Sequence, residues 1–155
     1  MSLVRATDAH FAWMLGEAGP PDPSLALPPG GVDEAFVLRW LRRNLAAGAR
    51  SWLVAEAGEV VGLCSHKAPP DPAGRVEIGY ATAPERRRAG HATAAIALLV
   101  GEARADPGLT VLTAETAAAN QPSQRVLQAS GFVADGRGWD DDEGEMLKWR
   151  LDVAR

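Results

Sequence analysis

Residues 75–106 read RVEIGYATAPERRRAGHATAAIALLVGEARAD. Val76, Ile78 and Tyr80 alternate with Arg75, Glu77 and Gly79, which is the two-residue period of a half-buried strand. Beyond Pro84 the period changes. Ala92, Ala95, Ile96, Leu99, Val100 and Ala103 recur at steps of three and four, which predicts one apolar face of a helix about 15 residues long. The stretch therefore reads as strand, basic turn, helix.

The turn conflicts with a local electrostatic rule. Arg86, Arg87 and Arg88 sit where the helix begins, and the positive end of the helix dipole opposes them by a few tenths of a kcal/mol each. Such conflicts are expected at sites rather than in plain scaffold. A docked anion resolves the conflict, because free backbone N–H groups, the dipole and the guanidinium groups then all face negative charge. Gly90 allows the backbone close to that ligand. The alternative is a solvated basic turn.

Arg87-Arg88-Ala89-Gly90-His91-Ala92 resembles the Arg/Gln-x-x-Gly-x-Gly/Ala signature of the GNAT acetyltransferase superfamily. The order around it is similar too: Glu-Ile-Gly-Tyr at 77–80, Ala-Pro-Glu at 83–85, and Ala92-Thr93 opening the helix. Asn120-x-x-Ser123-x-x-Val126-Leu127 then leads into Gly131-Phe132. The combination, spanning Arg75 to Val133, looks like the branch that acetylates ribosomal-protein N-termini and related amines. The resemblance implies that acetyl-CoA is held by Ala81, Thr82, Ala83, Arg87, Arg88, Ala89, Gly90, His91, Ala92 and Thr93, with Asn120 and Ser123 beside its pantetheine arm.

Composition sets outer bounds. A chain of 155 residues with 46% apolar and 23% charged residues suits one soluble domain with a single core, residues 1–155. A net charge of -4 disfavours nucleic acid as a partner. One cysteine, Cys64, cannot make an intrachain disulfide, and three histidines without Cys-rich spacing form no recognisable zinc site, so no metal is expected. Neither a basic leader with a long apolar run nor 18 consecutive apolar residues is present. The expectation is a cytoplasmic protein off the membrane, as a monomer or homodimer.

The remaining elements follow in chain order. Leu3–Arg5 predicts a short strand, and Thr7 caps a helix carrying Phe11, Met14 and Leu15. Residues 19–31, dense in proline and glycine, form a loop. Asp33 is placed to cap a helix whose stripe is Phe36, Val37, Trp40, Leu41 and Leu45, with Trp13 and Trp40 packed in the core and Gly48 ending the helix. Ser51–Ala57 and Val60–Lys67 predict a hairpin through Gly58. Cys64-Ser65-His66 lacks a nucleophile elbow and reads as buried strand. Leu109–Thr116 is a strand, Asn120 or Gln121 caps a helix of about two turns ending at Gly131, and 132–136 pairs with 145–152. The acidic run Asp140–Glu143 reads as a solvated turn. The order β-α-α-β-β-β-α-β-α-β-β fits an α+β fold, a mixed and mainly antiparallel sheet flanked by helices, and resembles the GNAT architecture.

The functional expectation is transfer of an acetyl group from acetyl-CoA to a primary amine, a protein N-terminus or a small molecule, by direct attack on the thioester. The competing expectation is a non-catalytic acyl-CoA sensor, because cofactor turn and chemistry are separable. Catalysis needs a base for the amine, and Glu77 is preferred over Glu115. A strand-end N–H near Tyr80 to Thr82 supplies the oxyanion donor. Many relatives protonate the leaving thiolate with a tyrosine on the helix after the second strand. The chain's only tyrosine is Tyr80, so Ser123 is the hydroxyl that matches the pattern.

Overall fold

The computed structural model describes residues 1–154. Its elements are β1 (Ser2–Arg5), α1 (Asp8–Met14), α2 (Ala35–Ala46), β2 (Ser51–Glu56), β3 (Glu59–His66), β4 (Arg75–Thr82), α3 (His91–Ala105), β5 (Val111–Ala117), α4 (Gln121–Ala129), β6 (Val133–Asp140) and β7 (Gly144–Asp152). The sequence order of strands and helices is the expected one. The seven strands form one sheet in the order β1-β2-β3-β4-β5-β7-β6. Every neighbouring pair is antiparallel except β4 and β5.

The pleat gives each face its own core. Val76, Ile78, Leu112 and Ala114 point to one side, where Ile96 and Leu99 of α3 and Leu127 of α4 close over them. Leu53 and Leu63 point to the other, under Phe11 of α1 and Leu38 and Leu41 of α2. Period-2 strands and period-3.6 helices are thus matched on both faces. Arg42 ties the α1–α2 layer together, its Nε 2.7 Å from Asp8 and its Nη1 3.0 Å from Glu17.

Local punctuation explains most boundaries. Ala57 and Gly58 both take positive φ, 50° and 80°, which is what a two-residue hairpin between Glu56 and Glu59 requires. The Pro-rich loop is stitched to that hairpin: Ala26 N–H donates to Gly58 C=O and Val60 N–H to Ala26 C=O, both at 2.9 Å. Asn120 caps α4, its side chain accepting from Ser123 N–H at 3.2 Å.

Three sequence expectations are corrected. Glu34, not Asp33, is the residue before α2, and Asp33 Oδ1 instead accepts from the adjacent Glu34 N–H at 2.7 Å. Trp40 is 39% exposed rather than core, and Phe36 is exposed as well, because the line of α2 facing the sheet runs through Leu38 and Leu41. The last hairpin extends to Asp140 and Gly144, with Asp140 Oδ1 accepting from the N–H groups of Asp142 and Glu143 to close the acidic turn. Trp13, by contrast, is buried as expected.

Candidate active site

The parallel ladder between β4 and β5 is short: it pairs Arg75–Glu77 with Val111–Thr113 and goes no further. Beyond it β4 stays with β3 through Ile78–Thr82, while β5 stays with β7 through Ala114–Ala117. The sheet splits into a V between them. Backbone direction on the open edge follows from the bonds on the closed edge. Glu77 C=O accepts from Lys67 N–H and Ala83 N–H donates to Val61 C=O, both at 2.8 Å on the β3 side. Strand alternation then turns the N–H and C=O groups of Tyr80 and Thr82 toward the split.

A cavity of about 630 Å³ occupies the α3–α4 side of the V. It is lined by Tyr80, Ala81, Thr82, Arg86, Arg87, Arg88, Gly90, His91, Ala92, Thr93, Asn120, Pro122, Ser123 and Val126. The strand end, the arginine turn and the first turn of α4 are therefore one site. Ala83 and Ala89 lie beside it: Ala83 is fully buried in the β3 ladder, and Ala89 is exposed on the turn.

The turn is shaped for an anion. Arg88 and Gly90 both take left-handed φ, 67° and 77°, a conformation costly for arginine and characteristic of backbone concavities that gather N–H groups. Gly90 precedes α3 with no side-chain cap, so the N–H groups of His91, Ala92 and Thr93 have no intrahelical acceptor. A Cβ at Gly90 would meet nothing within 4 Å, so the space in front of the helix is open. Arg86 is not free. Its Nε and Nη2 grip Glu59 at 2.5 and 3.0 Å, which anchors the turn to the β2–β3 hairpin and holds the Glu59 carboxyl below its usual range. Arg87 and Arg88 make no ion pair among the described residues. The pieces that a CoA pyrophosphate needs are thus present together.

Tyr80 is the residue that sequence reasoning undervalued. Its hydroxyl donates to Ser123 C=O at 3.2 Å, so the phenol and the Ser123 backbone meet at the α4 end of the cavity. Burial pushes the phenol above its ordinary pKa, with the Ser123 bond opposing. The signal was available in parity: Tyr80 shares a face with Ile78, and that face is the one α4 covers.

The candidate bases lie on the opposite face. Glu77 lies on the face opposite Ile78 and Tyr80, as strand alternation predicts, but its Oε2 is 2.7 Å from Lys67 Nζ. The Lys67 stem crosses Gly79, where a Cβ would stand 3.2 Å from Lys67 Cε. Glu77 and Ala81 are separated by about 13 Å of strand. Glu115 is exposed on β5 opposite Lys148 and lines neither of the cavities beside β4. Cys64 is buried and pushed up to about 12 by that burial, a neutral thiol. Among the described residues no group of three His, Cys, Asp or Glu side chains converges as a metal site, and no helix is long and apolar enough to cross a membrane.

A split β4–β5 pair with an open helix N-terminus at its mouth can receive an anionic ligand. Residues 3–133 match the acetyltransferase (GNAT) domain, and the chain belongs to that family. It is 30% identical over 95 residues to YjdG, an uncharacterized N-acetyltransferase of Bacillus subtilis (strain 168). That match covers 60% of this chain and 56% of YjdG, so the chain spans little more than half of its curated relative. Similar solved structures include RimL, a ribosomal L7/L12 alpha-N-protein acetyltransferase with coenzyme A, at TM-score 0.72 and 15% identity over 97% of this chain and 92% of RimL. A variant of the spermidine N-acetyltransferase SpeG from Vibrio cholerae gives 0.74 and 12% over 99% and 95%. The structure of yncA from Salmonella typhimurium with its cofactor acetyl-CoA gives 0.68 and 19% over 99% and 94%. At these identities the likeness is one of fold.

Proposed function

We propose that the protein transfers an acetyl group from acetyl-CoA to a primary amine by direct attack on the thioester. The observation that carries this reading is the single cavity joining the arginine turn, the open N-terminus of α3 and the unpaired edge of β4. Arg87, Arg88 and the N–H groups of His91, Ala92 and Thr93 receive the pyrophosphate, and Asn120 and Ser123 border the pantetheine arm. The N–H of Tyr80 or Thr82 faces the split and stabilises the oxyanion as it forms. An amine is mostly protonated at neutral pH and must lose a proton before it attacks. Glu77 takes that proton through water, given its distance along β4; Glu115 is the weaker candidate. The C–S bond breaks as the amide forms, and the thiolate leaves beside the hydroxyls of Tyr80 and Ser123, either of which supplies its proton. The acetylated amine and free CoA are the products.

The test is thiol release from acetyl-CoA across a panel of primary amines and peptides, with mass spectrometry of the acceptor. Amine-dependent release with acetylated product is expected, and Glu77→Gln reduces turnover by roughly 10²-fold while leaving acetyl-CoA affinity near the parent's. Tight acetyl-CoA binding with no release from any amine would instead identify an acyl-CoA sensor.

A further inference from the structure

A second, smaller cavity of about 170 Å³ lies on the other face of β4. Tyr80 and Ala81 line both cavities, so the two meet at the free end of the strand. The walls of the smaller one come from α2 (Val37, Trp40, Leu41), from β3 (Leu63) and from the segment before α2 (Asp33). Its polar groups are few. Ser65 is buried, Lys67 is already paired with Glu77, and Asp33 is the one carboxylate on the wall.

Resting on the acetyltransfer reading, we infer that this cavity is the acceptor subsite, that Asp33 receives the ammonium, and that the acceptor is a small monoamine on an aromatic or branched apolar body. Asp33 Oδ1 is occupied by the Glu34 N–H, and Oδ2 makes no hydrogen bond among the described residues. Partial burial raises the Asp33 carboxyl above its ordinary range, with the Glu34 charge adding and the Glu34 N–H and Arg87 opposing. Asp33 makes no ion pair among the described residues, which leaves its Oδ2 open to a ligand cation. The exposure of Trp40, 39% on a helix whose neighbours Leu38 and Leu41 are buried, then has a use: its ring offers a face to the ammonium or to the acceptor body.

Charge and size restrict the class. A polyamine carries cations that each seek a carboxylate, whereas this cavity presents Asp33 alone with the Lys67 ammonium on its wall and Arg87 nearby. Its volume is below the roughly 300–1,000 Å³ of drug-sized sites, so the part of the acceptor held inside it is compact. The loop that carries Asp33 also reaches the cofactor turn, since a Cβ on Gly30 would lie 3.6 Å from Glu85 Cγ. The acceptor subsite and the arginine turn are therefore held in register by one segment.

The experiment compares phenethylamine, spermidine and a tetrapeptide with N-terminal serine as acceptors for the full chain, then repeats the best of them with Asp33→Asn and Trp40→Ala. We expect phenethylamine to exceed the other two by at least ten-fold in kcat/KM. Asp33→Asn should raise the amine KM ten-fold or more, while its acetyl-CoA Kd by calorimetry stays within two-fold of the parent. Trp40→Ala, a surface change, should raise the same KM without lowering the melting temperature. A preference for spermidine or for the peptide overturns the substrate class. An unchanged amine KM in both variants overturns the subsite. If acetyl-CoA binds and no amine of any kind is acetylated, the acetyltransfer reading itself fails and takes this inference with it.

Discussion

Gly90 allows strain and charge to be separated in one position. The residue holds φ 77° and ψ 7° before the first turn of α3, and a Cβ there meets no atom within 4 Å. Gly90→Ala therefore introduces no clash, only the left-handed penalty of about 1–2 kcal/mol. Gly90→Glu carries the same backbone cost but places a carboxylate at a helix N-terminus beside Arg87 and Arg88, which returns a few tenths of a kcal/mol in the free protein. In the complex the sign reverses. A carboxylate about 5 Å from a phosphate charge, at an effective dielectric near 20, opposes it by about 3 kcal/mol, or more than 100-fold in affinity. The two scales must cross: stability by urea titration runs Gly, then Glu, then Ala, whereas acetyl-CoA affinity by calorimetry runs Gly, then Ala, then Glu. Binding by Gly90→Glu within a few-fold of Gly90→Ala would refute the placement of the pyrophosphate at this helix.

Two further outcomes follow from buried and capping groups. His66 is 2% exposed with its Nδ1 unpartnered, and burial together with Arg50 and Arg5 pushes its pKa down to about 4, against the weaker pull of Asp106. The unfolded chain then binds the extra proton first, so stability is full above about pH 6.5 and falls by up to about 3 kcal/mol as the pH drops toward 4. His66→Phe keeps an aromatic ring against Trp52, now 5.0 Å away edge-on, and in urea titrations at several pH values its curve should be flatter than the parent's across that window; parallel curves would sink the assignment. Asn120→Ala removes the cap on Ser123 N–H and should cost about 0.5–2 kcal/mol in thermal unfolding. Because Asn120 also lines the cavity proposed for the cofactor, a several-fold rise in the acetyl-CoA Michaelis constant should accompany that loss, and a melting shift alone would leave Asn120 a cap and nothing more.

Legibility in the sequence followed from where a single local rule decided the outcome. β4 and α3 were readable because the change of period at Pro84 is abrupt and no other element competes for the same residues. The α2 stripe was read rightly at Val37, Leu41 and Leu45 and wrongly at Phe36 and Trp40, because apolar residues run round more than one line of that helix and helical period alone does not choose between them. Packing chose the branched leucines for the sheet and left the aromatic line at the surface. The cap was misassigned for a similar reason, since Asp33 and Glu34 are adjacent acids and the choice depends on how the Pro-rich loop leaves the hairpin. The Lys67–Glu77 pair was invisible because it depends on which residues β3 and β4 set side by side, and only the folded register supplies that.

The same register explains why one short strand can serve two ligands. On β4 the side chains of Glu77 and Ala81, with Gly79 between them, face α2, those of Ile78 and Tyr80 face α3 and α4, and the backbone groups of Tyr80 and Thr82 face the split between them. On the proposed reading, an amine arriving from one face reaches a thioester in the split past the free end of β4, where Tyr80 and Ala81 line both cavities. Gly62 helps fix this arrangement: a Cβ there would stand 2.4 Å from Ala81 C=O, so only glycine lets β3 approach β4 closely opposite the reacting segment. A slip of one residue in that pairing would send Glu77 into the apolar core under α3 and turn the Tyr80 phenol away from Ser123. The close β3–β4 approach at Gly62 is therefore what fixes which β4 side chains face which cavity.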